Sequence, residues 1–297
     1  MRILVTGGTG FIGRALVSTL ASRGDDVRVV SRRPGANPTV VGWDAVEGQV
    51  RQVDAVIHLA GEGIADARWS DARLERIRAS RVETTATVAH AVARAAAEGK
   101  APHVVVSASA IGIYGYRGGE RTSADESAPS GDDVLARLCR AWEQAADPAR
   151  AAGVRVVHPR IGVVLGHGGG MLAKLEPLFR WGLGGPVGSG RQWISWIHVK
   201  DVVDAIVFAV GQKSLEGPVN VVAPEPVTMD TFAQTLGRVL NRPAIVRVPS
   251  IAVRAAVGAG LAEVLLTGPR ASAAKLAAAG FAFAFRSLEP ALRDLVA

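Results

Sequence analysis

Tyrosine and lysine are scarce in this chain. Its 297 residues include two tyrosines, Tyr114 and Tyr116, and only five lysines among 34 basic side chains: Lys100, Lys174, Lys200, Lys213 and Lys275. Gly118 and Glu120 stand four residues after the tyrosines, so no Tyr-x-x-x-Lys pair exists anywhere in the chain. Cys139 is the only cysteine. No intramolecular disulfide can form, and nothing argues for an oxidising compartment. The formal charge of +7 is carried mainly by scattered arginines, without a dense basic block or interleaved aromatics. A nucleic-acid partner is therefore not expected. The most membrane-like stretch, residues 251–266, is short for a span and is broken by Arg254 and Glu263. No basic leader precedes the first apolar run, so no signal peptide is expected. Nor does any metal-ligand spacing stand out. The expectation is a soluble cytoplasmic protein.

What is present begins at once. The first fourteen residues read MRILVTGGTGFIGR. Ile3, Leu4 and Val5 form a buried-strand run, followed by glycines at 7, 8, 10 and 13. Gly7, Gly10 and Gly13 give G-x-x-G-x-x-G, and Gly8, Gly10 and Gly13 give G-x-G-x-x-G. Strand, glycine turn and amphipathic helix together form the arrangement that cradles a dinucleotide pyrophosphate. Glycine lets the backbone approach phosphate closely, and the helix N-terminus supplies unpaired N–H groups and partial positive charge. Thr6, Gly7, Gly10, Phe11, Ile12 and Gly13 are the cofactor residues expected here.

Strand-like and helix-like segments then alternate. Strands are expected at residues 2–6, 26–31, 39–43, 55–59, 103–107 and 154–158, with helices at 71–97 and 133–146. Strands separated by helices of this length imply right-handed crossovers and a parallel, doubly wound α/β sheet of Rossmann type. The second half has glycine-rich loops at 166–170 and 182–190, a helix at 171–181, the aromatic run QWISWIH at 192–198, a helix at 199–210, a strand at 218–222 and a helix at 228–240. An Ala-rich, mostly helical segment follows. The expected division is a dinucleotide-binding domain over 1–222 and a smaller substrate lobe over 223–297, with loops 166–195 contributing to the lobe.

The second strand reports on the cofactor. NAD-binding chains of this fold carry an acid there, about 20 residues past the glycines, to hold the ribose 2′-hydroxyl. This chain has Ser31-Arg32-Arg33 instead. A guanidinium suits a 2′-phosphate, so NADP(H) is expected, with Ser31, Arg32 and Arg33 around that phosphate. Asp44 is placed to meet the adenine. Leu59, Ala60 and Gly61 close the fourth strand beside the cofactor channel, and His58 reads as a packed strand residue.

TGGTGFIG, HLAG, SASAIGIYG and IHVKDVVDAI together resemble an extended short-chain dehydrogenase/reductase. GEGIADARWS, RASRVETT, LCRAWE and GSGRQWISWIH are similar to an atypical, epimerase-family subgroup. The resemblance spans essentially the whole chain. It implies a catalytic serine after the fifth strand, at Ser109, with Ser107 as the alternative or as part of the cofactor wall. It also implies a tyrosine–lysine pair, but aligning Glu143-Gln144 with the end of the catalytic helix puts Leu135 and Cys139 in those places. Leucine cannot move a proton, and a neutral thiol offers no positive charge. Three substitutes are open: Tyr114, Cys139 and His198.

On the substrate side, Arg191 and Trp193 in GSGRQW offer a cation and an indole, and Arg160 in HPRIGVVLG supports the same cleft. Glu62, Arg68 and Trp69 lie in the loop after the fourth strand, and Arg81 reads as structural. The expected function is an NADP(H)-dependent oxidoreductase or epimerase-like enzyme acting on a small polar molecule, with a homodimer allowed. The alternative is a non-catalytic NADP(H)-binding sensor or scaffold.

Overall fold

A computed structural model describes residues 1–34, 37–115 and 123–296. Seven strands form the backbone of the main sheet: β1 (Arg2–Thr6), β2 (Asp26–Val30), β3 (Val40–Val41), β4 (Ala55–His58), β5 (Val104–Ser107), β7 (Arg155–Ile161) and β12 (Gly217–Val221). A two-residue strand, β6 (Ser109–Ala110), pairs with β7. The order is β12-β7-β5-β4-β1-β2-β3, and every pairing in it is parallel. The chain reverses its direction of growth between β1 and β4. In open α/β sheets the crevice beyond the strand ends at that switch point is where ligands bind.

Alternation explains why the middle of β1, Ile3 to Val5, is apolar at every position. Ile3 and Val5 face a core shared with Leu16, Leu20, Val202 and Ile206. Those residues come from helices α1 (Phe11–Ser22) and α7 (Val199–Gly211). Leu4 faces the opposite core with Val50, Val88, Val92 and Ala149. These belong to α2 (Val46–Val50), α3 (Asp71–Ala97) and α5 (Asp147–Ala151). A strand buried on both faces has no polar side.

A third core joins Leu165, Phe179, Trp196, Phe232 and Leu292. It gathers a small sheet, β8 (Val163–Gly166), β9 (Gly169–Gly170) and β11 (Trp196–His198), with helices α6 (Leu172–Arg180), α8 (Met229–Val239) and α12 (Leu288–Val296). Helices α9 (Ser250–Val257), α10 (Ala259–Leu266) and α11 (Ala274–Ala278) complete the C-terminal part, and β10 (Trp193–Ile194) pairs antiparallel with β13 (Val227–Thr228).

The expected central elements are present, with shifted ends. The strand expected at 154–158 runs from Arg155 through Pro159 to Ile161. It does so because β6 replaces β5 as its neighbour at Arg160. The QWISWIH run divides into β10 and β11. Helix α4 (Val134–Gln144) starts at Asp133, whose side chain accepts from Leu135 and Ala136 N–H groups. Among the described residues no helix is long and apolar enough to cross a membrane.

Candidate functional site

The glycine turn is fixed by close approach. Gly7 has φ +71°, and a Cβ there would lie 2.6 Å from the Leu59 backbone. A Cβ on Gly13 would lie 2.1 Å from Gly7 O and 2.7 Å from Gly8 Cα. The turn closes with Gly10 N–H donating to Gly7 O at 3.0 Å. Gly10 caps α1 without any side-chain bond, and no acid sits in the first helical turn. The N–H groups and positive end of α1 are left to an external anion. Ser107 adds a buried hydroxyl without a hydrogen-bond partner at the carboxyl end of β5. These features fit a dinucleotide lying across β1, β4 and β5. Leu59 and Ala60 are half-buried and Gly61 exposed at the same edge.

At the end of β2, Ser31 Oγ accepts from Arg33 N–H at 3.1 Å and turns the chain. Arg32 and Arg33 are exposed. Among the described residues no carboxylate is ion-paired with either guanidinium. Asp44 is exposed just past β3, with its carboxylate folded back over Gly42.

Behind the turn, Thr6, His58 and Ser107 stand in register across β1, β4 and β5. Thr84 Oγ1 donates to Ser80 O at 2.7 Å, so the His58 Nε2–H donates to Thr84 at 3.4 Å. His58 Nδ1 then accepts from the Thr6 hydroxyl at 2.7 Å, and Thr6 Oγ1 accepts from Ala60 N–H at 3.3 Å. The tautomer follows from this network. Burial pushes the His58 pKa down to about 3. His58 is a neutral brace for the cofactor edge, as its packed strand position suggests.

Beyond β5 lies a chain of polar contacts. Ser109, buried, donates its hydroxyl to Glu143 Oε1 at 2.7 Å. Arg160 grips Glu143 with Nε at 2.9 Å and Nη2 at 3.0 Å. Its Nη1 donates to the Tyr114 hydroxyl at 3.1 Å, which donates to Asn220 Oδ1 at 2.6 Å. Burial alone raises the Glu143 pKa, but the Arg160 bonds and charge outweigh it and hold the carboxyl below its usual range.

This corrects two expectations. Tyr114 is fully buried and spent on Asn220 and Arg160, so it does not face an open cofactor crevice. Burial pushes its pKa up. Arg160 is 7% exposed and bound to Glu143. It braces the site from within and offers no free charge to a substrate. In both cases a neighbour that sequence spacing does not reveal takes up the functional group.

Leu135 and Cys139 do lie beside Ser109's segment. A Cβ on Gly112 would lie 3.6 Å from Leu135 Cβ and 3.7 Å from Cys139 Sγ. Burial, with the nearby Glu143 charge, pushes the Cys139 thiol up to about 12. Thiolate, not thiol, is the nucleophile. Iodoacetamide at pH 8 is therefore expected to leave folded Cys139 unmodified over hours and to alkylate it within minutes in denaturant. Rapid labelling of the native protein, read by mass spectrometry, would contradict this.

His198 caps α7, its Nδ1 accepting from Lys200 N–H at 3.1 Å while Nε2 faces Asp294 at 3.2 Å. It stacks on Phe285 with centroids 4.0 Å apart. These contacts give it a structural place in the C-terminal part. Arg191 is exposed, and Trp193 is half-buried under Arg270, whose guanidinium lies 4.8 Å from the indole centre.

The loop after β4 ties the two halves together. Arg68 donates to Ala255 O and to Ala256 O of α9, the latter at 3.0 Å. Trp69 packs at Gly260 of α10, and Lys174 of α6 reaches Ala65 O. Arg73 holds Glu62 at 2.6 Å. Arg81 donates to Glu62 O at 2.8 Å, lies 5.1 Å from the Trp142 ring centre and raises the local positive charge at Cys139. Sequence reasoning alone does not single out Glu143 or Asn220. A glutamate ending an amphipathic helix reads as solvated, and an asparagine in PVNVV reads as an edge residue.

A model of the NAD dependent epimerase/dehydratase family matches residues 3–222. The chain belongs to that family. A second model, a domain of unknown function, matches residues 248–295. An epimerase family protein of Mycobacterium bovis is 41% identical over 98% of this chain and 96% of its own length. Human epimerase family protein SDR39U1 is 39% identical over the full length of both. A crystal structure of human SDR39U1, isoform 2, with NADPH superposes with a TM-score of 0.91 at 37% identity, covering 99% of each chain. The Rossmann-like sheet of this family member is thus shared with the human protein throughout.

Proposed function

We propose that this epimerase-family chain is an NADP(H)-dependent oxidoreductase or epimerase-like enzyme acting on a small polar molecule in the cytoplasm. The observation that carries the cofactor reading is the uncapped α1 N-terminus beneath a glycine turn that admits no Cβ. Two exposed arginines at the end of β2, where an NAD site carries an acid, select the 2′-phosphate. The NADPH held by human SDR39U1 supports the same reading. The bound dinucleotide supplies or accepts a hydride. Gly7, Gly10 and Gly13 let its pyrophosphate approach α1, Ser31, Arg32 and Arg33 hold the 2′-phosphate, and Ser107 meets the nicotinamide half. The loop from Gly61 to Ser70 and the Trp193 segment border the substrate side.

The test is selective binding. NADPH is expected to bind at least about tenfold more tightly than NADH, a difference of roughly 1.4 kcal/mol. Arg32→Ala should remove most of that preference with little effect on NADH, read by fluorescence titration. Equal affinities in the parent protein would refute the phosphate clamp. A second reading, a non-catalytic NADP(H) sensor, is favoured by Leu135 and Cys139 standing where the resemblance calls for tyrosine and lysine. Tight NADPH binding without stereospecific hydride transfer to any carbonyl or sugar-nucleotide substrate would select it.

A further inference from the structure

We propose that Ser109 and Glu143 form the proton-transfer pair of this site, with Glu143 linking the buried Ser109 hydroxyl to solvent through a cleft lined by α4, α5, β7 and the start of β12. The inference rests on the cofactor-dependent enzyme reading above and adds the proton path that reading lacks.

The geometry is specific. Ser109 follows β5 at the carboxyl edge of the sheet, where the dinucleotide cradle lies. It is 2% exposed, and its hydroxyl proton points to Glu143 Oε1 at 2.7 Å. With that proton committed, the Ser109 oxygen presents lone pairs to an incoming substrate hydroxyl. Glu143 is not sealed in: its side chain is 14% exposed. It lines an open cleft of about 580 Å³ with Ser130, Arg140, His158, Arg160 and Glu216. One carboxylate therefore touches the inner hydroxyl on one side and a water-accessible cleft on the other. Arg160 holds both carboxylate oxygens and fixes the orientation.

Among the described residues, Tyr114, Cys139, His58 and His158 are already committed. Tyr114 is bound to Asn220 and Arg160. Cys139 is buried beside Gly112 and has no charge to lend. His58 bridges Thr6 and Thr84. His158 donates Nδ1–H to Ser107 O at 3.2 Å and accepts from Arg150 at 3.1 Å. Leu135 has no proton to give.

In the alcohol-oxidising direction the substrate O–H bond breaks and its proton passes to Ser109 Oγ. The original Ser109 proton passes at the same time to Glu143, which releases it to water in the cleft. The carbon-bound hydrogen leaves with its electron pair to the nicotinamide dinucleotide. Reduction of a carbonyl reverses each transfer, and Ser109 ends in its starting state. Among the described residues, the charged or titratable groups around Glu143 are Arg160 and His158 of β7, Cys139 and Arg140 of α4, Asp147 and Arg150 of α5, and Glu216 before β12. Arg81 of α3 lies behind Cys139. Ser109 touches the reacting oxygen; Glu143 acts through it and is a positioning residue.

Two readouts test the pair. The first needs no turnover. In a Cys139→Ala background, Ser109→Cys places the only thiol beside Glu143, and its ionisation is followed by ultraviolet thiolate absorbance. Adding Glu143→Gln is expected to lower the ionisation midpoint by at least about one pH unit, because an adjacent carboxylate opposes the thiolate. Unchanged midpoints would overturn the proposal.

The second readout is NADPH consumption with D,L-glyceraldehyde and 4-nitrobenzaldehyde. Ser109→Ala should lower kcat ~10²-fold, within the usual range for general acid–base groups, while NADPH affinity and thermal midpoint stay near the parent values. Glu143→Gln should lower kcat at least about tenfold without raising KM, and Glu143→Asp should restore part of the loss. A Ser109→Ala protein with parental kcat would overturn the pair and leave the cofactor-dependent function standing. If Glu143→Gln fails to fold, Ser109→Ala decides the question alone. A parent protein that binds NADPH yet consumes none with any carbonyl defeats the enzyme reading instead, and the thiol midpoint then judges the pair.

Discussion

Replacing Gly13 with alanine is expected to weaken NADPH binding by at least about a hundredfold, a loss of two or more charge-assisted hydrogen bonds at roughly 1.5–3 kcal/mol each. Gly13 lies inside α1, where alanine is favoured over glycine by up to about 1 kcal/mol. Steric contact overrides that preference. The new Cβ would lie 2.1 Å from Gly7 O and 2.7 Å from Gly8 Cα. Both are backbone atoms of the phosphate turn, so relief requires moving the turn or the helix. Either movement withdraws the α1 N–H groups from the anion. Gly48→Ala is the control: it is also helical, and a Cβ there meets nothing within 4 Å. That variant should bind NADPH normally and be as stable as the parent or slightly more so. Normal binding by Gly13→Ala in isothermal titration would show that the turn is not the pyrophosphate site.

Arg160→Ala is expected to destabilise the fold by about 3–5 kcal/mol at pH 7, the usual cost of stranding one member of a buried ion pair. Arg160 is 7% exposed. It makes two bonds to Glu143, one to the Tyr114 hydroxyl, and lies 5.3 Å from the Tyr114 ring centre. Alanine leaves Glu143 in a desolvated place without its cation.

The pH dependence follows from the direction of the shift. Glu143 in the parent is held below the usual carboxylate range. Its pairing therefore contributes stability that is present above the unfolded-state pKa and is lost as pH falls through the folded-state value. In Arg160→Ala, burial is opposed only by the Ser109 hydroxyl bond and nearby His158, so the Glu143 pKa rises from its parent value and acid relieves the defect. The stability gap between parent and variant should narrow between pH 7 and pH 5 in urea denaturation. Adding Glu143→Leu should recover part of the loss at pH 7, since an apolar replacement removes the stranded charge. A gap of equal size at both pH values would show that Glu143 does not carry the penalty.

The part of this molecule governed by local rules is legible in the sequence. Arg2–Thr6, the glycines at 7, 10 and 13, and the Phe11–Ser22 helix follow one another with their turn chemistry visible, and Asp133 and Thr228 announce the helices they cap. The site beyond β5 is not legible in this way. Ser109, Glu143, Arg160 and Asn220 come from four separate elements and meet only because β6, β7 and β12 pair beneath α4. A resemblance locates Ser109, but it does not say that its hydroxyl is already committed. Tyr114 illustrates the limit most clearly. Its place after SASAIG suggests a reactive phenol, whereas the adoption of a short 3₁₀ turn over Ile111–Tyr114 buries it. Burial of a side chain is decided by what the rest of the chain stacks on it.

The glycines of GHGGG carry a constraint that their sequence disguises as looseness. A Cβ on Gly166 would lie 2.4 Å from Phe11 Cζ, and one on Gly169 would lie 2.2 Å from Phe11 Cδ2. The hairpin formed by β8 and β9 is thus moulded around the ring that opens helix α1. The volume missing from those glycines is the volume of a phenyl group more than 150 residues earlier in the chain. Positions 11, 166 and 169 are consequently coupled in volume: a smaller residue at 11 relaxes the demand for glycine at 169, whereas at 166 Val199 Cβ, 3.1 Å from where a Cβ would stand, still crowds any side chain.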